Sequence, residues 1–186
     1  MENTTCKIVD AKPDHFSFEE ASTIAISFDT ALGAVRKANI KPDQKVMVYG
    51  ASGGVGLYAV QLAKAAGAGV TGVCSTRNTE LAKTAGCNPM KKYKSIMKEN
   101  GIFVGVGDMN QAMKALMASF TSHNFTYYAG AFTKQEDYLQ YAKELIETGN
   151  LHVYIDKVYS VNETVDAIQY LLTSHASGKV VIKIDF

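Results

Sequence analysis

The sequence predicts an α/β fold built on a parallel sheet with helices over both faces. Two features of the chain support this prediction. Short apolar runs alternate with amphipathic stretches almost throughout, and this alternation is typical of parallel strands joined by helical crossovers. In addition, the small residues of 50–56 lie between an apolar run and an amphipathic stretch, where a tight strand-to-helix turn is expected.

The elements of the first half follow from local signals. Ser17 and Glu20 have the spacing of a capping box, which opens a short helix. The other predictions are a helix over 30–39, a strand at 46–49, a helix over 54–66, a strand at 70–74 and a helix from 79 to 84. The helix over 54–66 places Val55, Tyr58 and Leu62 on one face, and Gly67 ends it.

The second half of the chain continues the alternation. Two further capping boxes, Thr133 with Glu136 and Ser160 with Glu163, predict helices that extend to 147 and to about 174. The other predicted elements are strands at 102–106, 153–159 and 180–184, a helix over 111–120 and an extended aromatic segment at 125–132. No internal repeat or low-complexity segment interrupts this pattern.

Composition and charge exclude several classes of protein. The 186 residues carry a formal net charge of +1, which gives no electrostatic basis for binding nucleic acid or an anionic membrane. No apolar run approaches the ~20 residues of a membrane span, and the polar segment 1–14 lacks a signal-peptide core. Cys6, Cys74 and Cys87 form no CxxC motif, so we expect reduced thiols and a cytoplasmic location.

The turn at 50–56 contains Ala51-x-Gly53-x-x-Gly56, the dinucleotide-binding fingerprint with alanine in its first position. The first small residue permits the tight turn, the second lets backbone N–H groups approach a pyrophosphate, and the third lets the helix pack closely on the strand. The helix N-terminus adds unpaired N–H groups and a positive dipole end. Because strand, turn, helix and second strand occur in the required order, a dinucleotide site is predicted here.

The end of the second predicted strand indicates which dinucleotide binds. NAD sites usually have an acidic residue there, bonded to the ribose hydroxyls, whereas Cys74-Ser75-Thr76-Arg77-Asn78 contains none. Ser75 and Thr76 can donate hydrogen bonds to a phosphate, and Arg77 can pair with it through two N–H groups. This composition favours a 2′-phosphate and therefore NADPH. The alternative is a polar loop with a solvated arginine.

Other chemistries fit the sequence less well. Gly50–Gly54 matches the nucleophile-elbow pattern with Ser52 as the nucleophile, but no acid–histidine pair accompanies it and Gly56 has no role there. The pair Gly178-Lys179 is followed by valine, so it is not a P-loop. The four histidines form no metal-ligand pattern with one another or with cysteines. A methyltransferase would need an acid at the end of the second strand.

Four stretches of the chain resemble, in sequence, the members of one known family. They are KPDHFSFEEASTIAISFDTAL, IKPDQKVMVYGASGGVGLYAVQLAKAAGA, SIMKENGIFVGVG and IDKVYSVNETVDAIQYLLTSHASGKVVIKI. Together they resemble the zinc-independent NADPH:quinone oxidoreductase branch of the medium-chain dehydrogenase/reductase superfamily, over nearly the whole chain. The resemblance implies a Rossmann-like doubly wound NADP-binding domain at 30–150. It also implies that 1–29 and 151–186 are remnants of a GroES-like catalytic domain packed on it.

The resemblance further implies an activity, an assembly and a set of site residues. The activity is hydride transfer from NADPH to a quinone or an α,β-unsaturated carbonyl, and the assembly is a homodimer joined through the edge strand Phe125–Phe132. The implied cofactor-binding residues are Ser52, Gly53, Gly54, Val55 and Gly56 at the pyrophosphate, Ser75, Arg77 and Tyr93 at the 2′-phosphate, and Thr30, Gly105, Val106 and Gly107 near the nicotinamide. No catalytic residue and no metal ligand is implied.

Two departures from the family pattern are visible. The main body of the GroES-like domain, which walls one side of the substrate cleft, has no counterpart. Only Lys94–Gly101 separates Tyr93 from the strand at 102–106, whereas a parallel crossover needs about a dozen residues or more. We therefore expect one strand and one helix of the cofactor domain to be absent and the sheet to be reduced. Three interpretations remain open: an active shortened reductase, a non-catalytic or degenerate NADPH-binding module, and part of a longer protein.

Overall fold

The structure is a computed structural model that describes residues 11–14, 16–84, 88–89, 102–106, 124–128, 138–173 and 175–184. Its helices are α1 (Phe18–Ser22), α2 (Ile24–Ala38), α3 (Gly54–Ala65), α4 (Thr79–Thr84), α5 (Tyr138–Glu147) and α6 (Thr164–Leu172). Its strands are β1 (Lys45–Tyr49), β2 (Gly69–Val73), β3 (Asn88–Pro89), β4 (Ile102–Val106), β5 (Asn124–Tyr128), β6 (Ile155–Ser160) and β7 (Lys179–Lys183). No helix within these ranges is long and apolar enough to cross a membrane.

The first two helices follow each other almost without interruption. The predicted capping box is confirmed, because Glu20 N donates to Ser17 Oγ at 3.1 Å and Ser17 N donates to Glu20 Oε2 at 2.8 Å. Thr23 ends α1 and also precedes the first residue of α2. Helix α2 therefore begins at Ile24, six residues before the predicted start, and the predicted boundary between 29 and 30 lies inside it.

The described strands pair in parallel, which confirms the predicted α/β class. β1 pairs with β2 in register from Lys45–Gly69 to Tyr49–Val73, and β2 continues to β3. β4 pairs with β5, and β6 pairs with β7, both also in parallel. Helix α3 connects β1 to β2 as a crossover, so this part of the chain is a complete βαβ unit.

The described strands form three separate sheets, β1–β2–β3, β4–β5 and β6–β7. Within the ranges given above, β1 is hydrogen-bonded only to β2, and no ladder joins it to β4. Tyr49 on β1 is 70% exposed and Ile102 on β4 is 54% exposed. This arrangement agrees with the reduced sheet expected from the short connection before 102. The predicted helix at 111–120, the predicted capping box of Thr133 with Glu136, and 129–132 of the aromatic segment lie outside the described residues.

The core of the described part lies between α2, α3 and α5. Phe28 of α2 is fully buried, and its ring meets Tyr58 of α3 edge-on with centroids 5.7 Å apart. The buried members of this cluster are Ile24, Phe28, Ala31, Leu32, Tyr58, Leu62, Ala142, Leu145, Ile146 and Leu151. A second buried cluster, Ala51, Leu57, Val60, Ala63, Ala68 and Val70, holds the other side of α3 against β1 and β2. Helix α3 is thus fixed on two sides.

The C-terminal β6–α6–β7 unit touches the turn that precedes α3. Ser160 and Glu163 form the predicted capping box, with Ser160 N donating to Glu163 Oε2 at 2.9 Å. Gly178, just before β7, makes a parallel bridge with Gly53. The unit therefore reaches the strand-to-helix turn.

Candidate functional site

The turn after β1 is built from backbone hydrogen bonds at the carboxyl ends of two neighbouring strands. Gly50 N and Ala51 N both donate to Val73 O of β2, at 2.9 and 3.1 Å. Gly53 N donates back to Gly50 O at 3.0 Å, and Gly50 has a φ of +76°. Ligands of open α/β sheets bind at the carboxyl ends of the strands, so the turn lies where a ligand is expected.

Gly53 and Gly56 of the fingerprint have different surroundings. A Cβ added at Gly56 would lie 2.0 Å from Gly50 O, so this glycine is required by the close approach of α3 to the turn. A Cβ added at Gly53 would have only Gly50 O within 4 Å, at 3.4 Å. Packing within the protein therefore leaves space beside the Cα of Gly53, as the second position of a dinucleotide fingerprint requires.

The N-terminus of α3 has no side-chain cap. Gly53 is the N-cap residue, and it has no side chain that could accept a hydrogen bond from an N–H group of the first turn. The N–H groups of Gly54, Val55 and Gly56 occupy the helix positions that lack intrahelical acceptors, and the positive end of the helix dipole is added to them. The turn and this helix end fit a pyrophosphate by both hydrogen bonding and charge.

The loop after β2, on which the sequence predicts the 2′-phosphate contacts, lies beside the turn. Ser75 and Arg77 are exposed, and residues 76–78 form one 3₁₀ turn. Arg77 Nη2 donates to the backbone oxygen of His175 at 3.3 Å. Asn78 Nδ2 donates to Ser52 Oγ at 3.1 Å, so the structure joins this loop to the turn through a side chain that the sequence did not indicate.

Lys179 is a second residue that sequence reasoning missed. Its Nζ donates to Ser27 Oγ at 2.8 Å, and its Cδ lies 2.8 Å from where a Cβ on Gly54 would be. Burial lowers the pKa of Lys179 below its usual value, and none of the ion pairs within the described ranges involves it. A half-buried cation therefore lies against the N-terminus of α3 without a carboxylate partner.

The remaining predicted cofactor residues are less closely gathered. Thr30 is buried in α2. Gly105 and Val106 lie on β4 and pair with Tyr127 and Tyr128 of β5, so no described ladder links them to the turn. Tyr93 and Gly107 lie outside the described residues.

The carboxylate of Asp29, the residue before Thr30, is only partly stabilised by its surroundings. Its Oδ1 is buried without a hydrogen-bond partner. Burial raises the pKa of Asp29, and the nearby charge of Arg36 opposes that rise only in part. Ionised Asp29 is therefore a source of instability in the folded chain.

We expect Asp29→Asn to stabilise the protein at pH 7 by about 1 kcal/mol. Because the pKa of Asp29 is raised in the folded state, protonation of Asp29 increases the free energy of unfolding. This contribution of protonation is lost as the pH rises through the folded-state pKa. The advantage of the variant should therefore shrink as the pH is lowered from 7 to ~4, because more of the aspartate is then protonated. Urea denaturation at both pH values measures this, with exposed Asp166→Asn as the control. An advantage that does not change with pH would contradict the assignment.

Comparison with known proteins agrees with this geometry. A sequence profile described as zinc-binding dehydrogenase matches residues 81–182, more than half of the chain. The chain belongs to this family, within the medium-chain dehydrogenase/reductase superfamily. The predicted superfamily is therefore confirmed. Within the described ranges, no three His, Cys, Asp or Glu side chains are grouped as a metal site would require.

This dehydrogenase/reductase chain is similar to several known oxidoreductases. It is 31% identical to a 2-methylene-furan-3-one reductase of Solanum lycopersicum, with 95% of this chain and 50% of that protein aligned. It is 27% identical to a chloroplast envelope quinone oxidoreductase homolog of Arabidopsis thaliana, over 96% of this chain and 66% of that one. The solved quinone oxidoreductase of Coxiella burnetii has a TM-score of 0.85 at 24% identity, over 97% and 65% of the two chains. That likeness establishes the Rossmann-like fold.

The chain is shorter than these relatives. It spans about half to two thirds of the length of the curated relatives it matches. Alignments of 215 and 217 positions exceed its 186 residues, so they contain gaps opposite residues that the relatives have and this chain lacks. This agrees with the shortening inferred from the sequence.

Proposed function

We propose that this chain is an oxidoreductase that binds NADPH on the turn at 50–56 and transfers hydride to a quinone or an α,β-unsaturated carbonyl. The observation that carries the proposal is the space beside the Cα of Gly53, next to the N-terminus of α3, which has no side-chain cap, and to the half-buried Lys179. The relatives' names, quinone oxidoreductase homolog and 2-methylene-furan-3-one reductase, support this class of acceptor.

The choice of NADPH over NADH rests on the loop after β2. Relatives of this chain include an NADPH-dependent alkenal/one oxidoreductase and an NAD-dependent alcohol dehydrogenase, so membership of the family does not decide between the two. Ser75 and Arg77 are exposed beside the turn. Among the described residues, the guanidinium of Arg77 donates one hydrogen bond, to His175 O, although it has five N–H donors. An exposed arginine of this kind favours a 2′-phosphate.

The residues of this chain would bind and orient the cofactor. The turn would hold the pyrophosphate, and the Lys179 ammonium would offset part of its charge. Thr30, Tyr93 and the segment 105–107 remain the proposed nicotinamide and phosphate contacts. The nicotinamide supplies the hydride, and a proton from solvent completes reduction of the acceptor. We propose no catalytic side chain and no zinc, and we propose a homodimer through 125–132.

A second candidate function is NADPH binding without turnover. The separation of the described strands into three sheets favours it, because it reduces the walls that exclude water from the hydride transfer. Mixing the protein with NADPH and 1,4-benzoquinone and following the loss of nicotinamide absorbance separates the two. Turnover above the uncatalysed rate supports the enzyme, and saturable binding without turnover supports the module.

We expect Lys179→Met to weaken NADPH and NADH alike, each by about tenfold, because both share the pyrophosphate. The pKa of Lys179 is lowered, so its charge is lost at a lower pH than that of an exposed lysine. Affinity of the unaltered protein should therefore fall as the pH becomes alkaline, while the variant shows a flatter profile. Calorimetric titration at several pH values measures this. Lys183→Met is the matched control, because it removes the same charge from the same strand, where Lys183 pairs with Glu19. Equal losses in both variants would refute the assignment.

A further inference from the structure

We propose that Asn78 sets the preference for NADPH over NADH without touching either cofactor, by holding the loop after β2 against the pyrophosphate turn. The inference rests on the proposed function. Asn78 is a positioning residue in this account: it acts through Ser52, while the phosphate donors are Ser75 and Arg77.

Asn78 is anchored at two points. Its backbone N donates to Ser75 O at 3.0 Å, which closes the 3₁₀ turn containing Arg77. Its side-chain Nδ2 donates to Ser52 Oγ at 3.1 Å across 26 positions of sequence. One residue thus connects the backbone that carries the predicted 2′-phosphate donors to the turn that receives the pyrophosphate.

Ser52 is a firm point of attachment. It is only 8% exposed, and its backbone oxygen accepts from Gly178 N at 3.0 Å. Its hydroxyl is directed at Asn78, so it is engaged within the protein. We therefore assign the pyrophosphate contact of Ser52, which the family resemblance implied, to its backbone N–H. Its side chain links the turn to the loop.

Among the described residues, one further side-chain hydrogen bond links the loop to another segment of the chain. Arg77 Nη2 reaches His175 O at 3.3 Å, and both partners are exposed. An exposed contact of this length adds little restraint, and binding of a 2′-phosphate would compete for the same guanidinium. The Asn78–Ser52 hydrogen bond is half-buried and stays available when the phosphate binds.

A dinucleotide makes the spacing of these two sites matter. The 2′-phosphate and the pyrophosphate are attached to the same ribose, so a rigid spacer sets the distance between them. NADPH must bind the turn through its pyrophosphate and the loop through its 2′-phosphate at the same time. NADH binds the turn but has no 2′-phosphate to contact the loop. Loosening the loop should therefore weaken NADPH and leave NADH almost unchanged.

The test compares NADPH and NADH affinities by calorimetric titration of the unaltered protein, Asn78→Ala, Ser52→Ala and the double variant. We expect Asn78→Ala to lower the NADPH:NADH affinity ratio about fivefold through NADPH alone. Ser52→Ala keeps the backbone N–H and should lower the ratio by a similar factor, with no further loss in the double variant. Asn150→Ala is the control, because Asn150 Nδ2 makes an equivalent bond to Thr148 Oγ1 at 3.0 Å, outside the site.

Each outcome decides a separate point. If the unaltered protein binds neither cofactor, or binds NADH as tightly as NADPH, the proposed function fails and this inference fails with it. If it prefers NADPH and Asn78→Ala keeps that ratio, or weakens both cofactors equally, only the inference is overturned. Additive losses in the double variant would overturn the path through Ser52. Comparable melting temperatures of the four proteins without cofactor assign the change in ratio to positioning.

Discussion

Replacing Gly56 by alanine is expected to unfold the turn between β1 and α3 and to abolish cofactor binding. The added Cβ would lie 2.0 Å from Gly50 O, 2.8 Å from Gly50 C and 3.0 Å from Ala51 Cα. All three are backbone atoms of a turn that is hydrogen-bonded to Val73, so the clash cannot be relieved by a side-chain rotation. We expect a loss of at least about 3 kcal/mol in the free energy of unfolding, measured by urea denaturation.

Gly53→Ala is the matched control for that experiment. Its Cβ would have Gly50 O as its nearest neighbour, at 3.4 Å, so the free energy of unfolding should stay within about 1 kcal/mol of the unaltered protein. NADPH affinity should nevertheless fall, because the added methyl group fills the space through which a pyrophosphate approaches the backbone. Equal stability losses in Gly53→Ala and Gly56→Ala would contradict the separate roles given to these glycines.

Phe28→Ala is expected to cost about 3–5 kcal/mol of folding free energy, since a large buried ring is replaced by a cavity. Phe28 is fully buried, and it meets the rings of Tyr58 at 5.7 Å and Tyr141 at 6.4 Å. A domain of this kind is stable by only about 5–15 kcal/mol, so a substantial fraction of the variant should be unfolded at 37 °C. Thermal denaturation followed by circular dichroism measures the loss.

Phe18→Ala is the control for the core substitution. Phe18 is the same residue type on α1 but is 81% exposed, and its removal should change the stability by no more than about 0.5 kcal/mol. A similar loss in both variants would mean that the cluster between α2, α3 and α5 is not the core of the folded protein.

The turn and its flanking elements could be predicted because their signals are local. The fingerprint at 51–56 lies between an apolar run and an amphipathic stretch, and β1, α3 and β2 occur within a residue or so of the predicted bounds. The capping boxes at Ser17 and Ser160 are also local, since the partners are three residues apart. In each case short-range sterics and hydrogen bonding decide the structure.

The start of α2 was predicted too late because an apolar residue also lies on its exposed face. Ile24, Phe28 and Ala31 are buried at helical spacing, whereas Ile26 is 78% exposed. A helix with apolar residues on its exposed face lacks the contrast between faces from which a sequence pattern is read.

Asn78 and Lys179 could not be found from the sequence because their contacts are distant along the chain. Lys179 meets Ser27 across 152 positions, and Asn78 meets Ser52 across 26. Neither residue belongs to the fingerprint, and asparagine and lysine side chains are mostly exposed to solvent. Only the folded arrangement shows that both lie beside the turn.

The most direct test of the account is a calorimetric titration of the purified protein with NADPH and with NADH. We expect saturable binding of one NADPH per chain, at least about tenfold tighter than NADH, a difference of about 1.4 kcal/mol. We also expect folded Gly53→Ala to bind NADPH much more weakly. Absence of binding of either cofactor by the folded protein would contradict the assignment of the turn at 50–56 as a dinucleotide site.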